Sequence, residues 1–228
     1  GDGEEHGEEK AGAEYSEKNG ILIHEEARAA IQLETATARR EMLVQSFTAT
    51  ARVYQVGSLH DLNQSERGGL LGDAMATAII TPEQADTLVE GSAVAVQHVG
   101  AVDTDTGVLM RLDRTTAQAT GQVEALIAIS AKDHEIEFGS FLQVSFSGKA
   151  IESTVIPQNA LLNTATGKFA YVERKGRYLR TPVEVGTIGS ELVGISRGVE
   201  PGDVVASNGS VDLWLIELRF TKGGGHSH

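Results

Sequence analysis

The chain has 228 residues, a formal net charge of -13 and no cysteine. That length holds one or two domains with a real core. The acidic balance argues against a nucleic-acid partner, which needs a basic footprint, and the missing cysteines exclude a disulfide framework or thiolate metal ligands.

Residues 1–19 are rich in Glu and Gly with almost no apolar side chain. Such a segment buries too little to offset the entropy of ordering, about 1 to 2 kcal/mol per residue for backbone alone, so it is expected to be a disordered acidic tail. His6, flanked by Glu4, Glu5, Glu8 and Glu9, places an imidazole among carboxylates and is a candidate ligand for a divalent cation. A solvated charged tail is the plainer reading. No stretch approaches the roughly 20 apolar residues of a spanning helix. No signal peptide precedes Gly1, so an exported or anchored form is expected to have lost its targeting region.

Gly20 to His24 then forms a short strand candidate, with His24 a surface residue at its end. Glu25 to Ile31 has good helix formers, with acids in the first turn where the helix dipole favours them. Leu33 to Val56 is a long extended stretch in which Phe47, Ala49, Ala51 and Val53 share one face. Gly57 to Ala74 is polar and glycine-rich without heptad periodicity, and is expected to be a loop.

From Ala76 to Val99 the pattern is strand, short helix, strand. Thr81 suits an N-cap, Pro82 the first helical position and Gly91 a stop. Residues 101–130 give two more strands joined by a polar turn, and Glu137 to Gly148 a glycine-led strand. Asp103, Asp105 and Asp113 do not have EF-hand spacing and are expected in a polar hairpin. His98 follows Val94 and Val96 at period two, and His134 lies in an acidic loop. With a carboxylate such as Glu135, Glu137 or Glu152 they are a second, weaker candidate metal set beside the commoner fate of a satisfied or solvated histidine. Met42, Met75 and Met110 are scattered and read as core fillers rather than soft-metal ligands.

The final region, Thr154 to Gly209, carries the densest punctuation. Pro157 suits an edge-strand start or entry turn, Lys175-Gly176 a tight hairpin turn, and Pro201-Gly202 a type II turn before a strand from Val204. The segment carries no catalytic constellation, and the chain has no HExxH, GxSxG, P-loop or dinucleotide fingerprint. Gly223 to His228 is a flexible run ending in a His-X-His pair, His226 and His228, a further candidate metal site.

The run VIPQNALL, the hairpin ending in VEVG, and GISRGVEPGDVVASNG together resemble the membrane-proximal end of periplasmic adaptor proteins. These are the membrane fusion proteins of resistance-nodulation-division efflux pumps. The matching positions are Pro157, Ala160, Gly186, Gly198, Gly202 and Asp203, while Val199 stands where a leucine is common. The N-terminal strand, helix and long strand resemble the family's heavy-metal branch. The resemblance implies a mainly β fold, with a small antiparallel β-barrel and a β-rich membrane-proximal domain, plus short helices. The expected organisation is residues 20–43 plus 149–220 as the membrane-proximal domain and 44–148 as the barrel. The loop 57–74 stands in place of the family's lipoyl-like domain and helical hairpin, and 221–228 is a flexible tail.

Function follows from the same resemblance. It implies a non-catalytic adaptor subunit of a tripartite heavy-metal cation efflux system, periplasmic and associated with the inner membrane. Its partner is the inner-membrane efflux transporter, with self-association into an oligomer. The missing hairpin puts contact with an outer-membrane channel in doubt. No cofactor is required, and a divalent or Cu/Zn cation is the one ligand the histidines suggest. The alternative is a soluble periplasmic metal-binding or metal-buffering protein on the same scaffold, using His6, His226 and His228.

Overall fold

The computed structural model describes residues 8–10, 12–56, 74–130 and 136–222. The chain divides into two compact units, one of residues 1–43 and 151–228 and the other of residues 44–150. It passes between them twice, within the long strands β5 (Arg39–Val56) and β10 (Phe141–Pro157).

The 44–150 unit is a closed six-stranded antiparallel barrel. Around it run β10, β5, β6 (Ala74–Ile80), β9 (Val123–Ser130), β8 (Thr104–Asp113) and β7 (Ala93–His98), and β7 pairs back onto β10 from Ala95↔Ser145 to His98↔Leu142. Period-two alternation turns one side of each strand inward, so Ala51, Val53, Val96, Leu109, Ile127 and Val144 are wholly buried. Phe47 and Ala49 pack against this core as their spacing predicts, and the Phe47 ring stacks on Phe146 at 5.1 Å. Closure leaves no free edge to the barrel sheet. Between β6 and β7, the helix α2 (Pro82–Asp86) opens with a capping box: Thr81 Oγ1 accepts from Gln84 N at 3.1 Å, and Gln84 Oε1 accepts from Thr81 N at 2.9 Å. The polar turn expected between β8 and β9 contains a one-turn helix, α3 (Ala117–Thr120).

The other unit is built on an antiparallel sheet with strand order β1 (Glu8–Lys10), β2 (Ala13–Ser16), β3 (Gly20–Ile23), β13 (Arg177–Pro182), β12 (Gly167–Arg174), β16 (Val204–Asn208) and β4 (Glu34–Thr37). Strand β11 (Leu162–Thr164) also pairs with β12. A smaller antiparallel set joins β14 (Glu184–Ile188), β15 (Leu192–Arg197) and the last residues of β10. The β12–β13 hairpin turns at Lys175 and Gly176, with φ of 51° and 78°. Two successive positive φ values are the requirement of a type I′ turn, whose twist matches that of the strands. Pro157 ends β10 and leads into a single 3₁₀ turn, Gln158–Ala160, so the entry-turn reading holds. Helix α1 (Glu25–Ala30) follows β3, and α4 (Ser210–Lys222) closes the chain of described residues.

Several expectations need correction. The acidic segment is ordered where it is described: β1 pairs with β2 and β2 with β3, Ala13 is buried, and the Tyr15 ring stacks on Phe220 at 5.7 Å. Two apolar residues at period two, Ala13 and Tyr15, recruit the segment as edge strands despite its charge. Residues 1–7, with His6, lie outside the described residues. Ala74 belongs to β6 rather than to the preceding loop and is 3% exposed, because its side chain points into the barrel. Residues 57–73 lie outside the described residues. Thr221 and Lys222 continue α4 rather than a tail. Met42 is 59% exposed and fills no core, since the alternation of β5 turns its neighbour Leu43 inward instead.

Candidate functional site

Among the described residues, charged and aromatic side chains gather around a cavity of about 500 Å³ in the unit of residues 1–43 and 151–228. It lies among the β2–β3 hairpin, β13 and α4. Strand β3 pairs with β13 at one position, Ile21↔Tyr178. Gly20 has a φ of 86°, and a Cβ there would lie 2.2 Å from the Tyr178 carbonyl oxygen, so the backbones close up only because residue 20 is glycine.

One wall is a buried polar network centred on Glu217, which is 7% exposed. Tyr171 and Arg180 are cross-strand partners on β12 and β13 and so share a face. Tyr171 Oη donates to Glu217 Oε2 at 2.5 Å, and Arg180 Nε lies 3.1 Å and 3.3 Å from the two carboxylate oxygens. The Arg180 guanidinium also sits 4.5 Å from the centre of the Phe169 ring. A buried carboxylate is tolerated because it is paired and hydrogen-bonded. Burial, then the bond to Glu217, holds the Tyr171 phenol far above its ordinary range. Burial and then the Glu217 and Glu17 charges raise Tyr15 as well.

Sequence reasoning missed this site and helix α4 with it. The signal was present: Leu213, Glu217 and Phe220 are buried at spacings of four and three, one helix stripe with a carboxylate in it. Asp212 in the first turn and Arg219 and Lys222 in the last fit the helix dipole.

Of the predicted metal ligands, those among the described residues, His98, Glu137 and Glu152, are not gathered into a site. His98 Nε2 lies 3.2 Å from Asp105 Oδ2, across the β7–β8 pair. Glu152 lies 3.5 Å from Arg40. His134, Glu135, His226 and His228 lie outside the described residues. Among the described residues no group of three or more His, Asp or Glu is placed to hold a metal ion. His24 directly follows the end of β3, half-buried, at the N-cap of α1. No helix among the described residues is long and apolar enough to cross a membrane.

A mainly β protein emerges, in which one unit is a closed barrel and the other a mixed β unit carrying a charged, aromatic-walled cavity. Its likenesses among solved structures include ZneB from Cupriavidus metallidurans, at 12% identity and a TM-score of 0.45 over 87% of this chain and 98% of that one. MacA from Actinobacillus actinomycetemcomitans shows 14% identity and a TM-score of 0.39 over 61% of this chain and 43% of that one. Scans against protein-family models and against curated proteins find no match.

Proposed function

We propose that this chain is a non-catalytic periplasmic adaptor subunit that binds the inner-membrane transporter of a heavy-metal cation efflux system and self-associates around it. The observation that carries this reading is the 154–209 module, where the family-like residues occupy the positions that shape it. Pro157 and Ala160 form the 3₁₀ entry, with Ala160 wholly buried. Gly186 lies in β14, Gly198 follows β15, and Gly202 and Asp203 close the turn into β16. Such residues specify a scaffold and its binding surfaces rather than a reaction.

Affinity capture of the full chain from detergent-solubilised host membranes tests the reading. Co-recovery of an inner-membrane efflux transporter is expected, and capture that recovers no transporter component overturns it. Cation binding through His6, His226 and His228 belongs instead to the alternative reading, a metal-binding or metal-buffering protein on the same scaffold. Zinc calorimetry on the full chain is expected to show binding that disappears when these three become alanine. A flat titration removes the metal role while leaving the transporter contact to its own test.

A further inference from the structure

The cavity beside α4 has no part in the adaptor reading, yet its walls select a ligand. Its volume of about 500 Å³ is that of a small-molecule site. Tyr15 and Trp214 supply aromatic surface and Leu218 an aliphatic flank. Three charged side chains reach it: Glu17, Glu217 and Arg180. Two of these cancel, because Arg180 lies 3.1 Å from Glu217 and covers Phe169 with its face. Glu17, exposed on the β2–β3 turn, has no ion-pair partner among the described residues, and Lys18 beside it does not line the cavity. One uncompensated carboxylate therefore stands at the mouth of a partly aromatic cavity, in a chain of net charge -13. Aromatic faces and a nearby carboxylate both attract a positive charge. An anion is repelled by the uncompensated charge of Glu17, and a neutral ligand gains no charge attraction from it.

We infer that this cavity binds a small organic cation, an amine or quaternary ammonium whose charge faces Glu17 and whose apolar body lies against Tyr15 and Trp214. The inference does not rest on the adaptor reading, since binding belongs to the isolated chain.

Trp214 is the only tryptophan in the sequence, so its fluorescence reports on this cavity directly. Titrating the full chain with benzyltrimethylammonium at low ionic strength is expected to change Trp214 emission saturably. Phenylacetate, similar in size and opposite in charge, is expected to bind about tenfold more weakly or not at all. Glu17→Gln, on an exposed turn where the fold does not need the charge, is expected to weaken the cation about threefold to tenfold. A circular dichroism spectrum matching the parent shows that this variant is folded. No saturable change with the cation, equal binding of phenylacetate, or unaltered affinity in folded Glu17→Gln each overturns the inference.

Discussion

Asp203 shows how much a single turn residue can hold. Its carboxylate accepts from Glu200 N at 2.9 Å and from Arg174 Nη1 at 2.8 Å, while its own backbone N–H closes the turn onto Glu200 O at 3.0 Å. The Arg174 hydrogen bond, helped by the Glu200 amide, holds its carboxyl below the ordinary carboxylate range. A depressed folded-state value means that the stabilisation is complete above the unfolded value of about 3.9 and is lost as pH falls through the folded one. Urea unfolding is therefore expected to show Asp203→Asn less stable than the parent by about 1 kcal/mol at pH 7, with Arg174 largely in water. That difference should shrink at pH 3, and a gap that stays constant with pH removes the carboxylate from the account. Glu217 is the stronger case because it is buried. Glu217→Ala strands Tyr171 and the partly exposed Arg180, and is expected to cost about 3 kcal/mol in the same assay. A loss below about 1 kcal/mol means that the network carries little of the fold.

Elements differ in how far local chemistry announces them. Helix α2 is legible residue by residue, since Thr81, Pro82 and Gln84 each do at the helix start what their side chains do in any helix. Thr81→Ala is expected to cost about 1 kcal/mol, read from the unfolding midpoint of the barrel unit. The Lys175-Gly176 hairpin is legible for the same reason: its positive φ values demand residues that tolerate them. Helix α4 is harder to read, because Val211, Leu213, Trp214, Leu215 and Ile216 are apolar all along its first half and blur its period. Strand β2 is masked in the opposite way, its two apolar residues lost among glutamates.

At the scale of the molecule the two units have separate cores, one in the barrel and two in the other unit. The barrel packs around Ile127, Val53 and Phe146, and the other unit around Tyr171, Tyr178 and Leu213 beneath α4 and around Ile156, Val172 and Val205. Ile127→Ala is expected to cost 2 to 5 kcal/mol or so through the cavity it leaves. Hydrogen exchange should show protection lost first in β6, β8 and β9, while β12 and β13 stay protected. Equal loss in both units means that they unfold as one. Turn positions, the α2 cap, strand alternation and the acidic charge could all be read from the amino acids alone, because each depends on neighbours within a few residues along the chain. The recruitment of Ala13 and Tyr15 into a sheet and the meeting of Tyr171, Arg180 and Glu217 could not. Those contacts join positions far apart in sequence, and the burial that makes a carboxylate pair with an arginine exists only once the chain has folded around it.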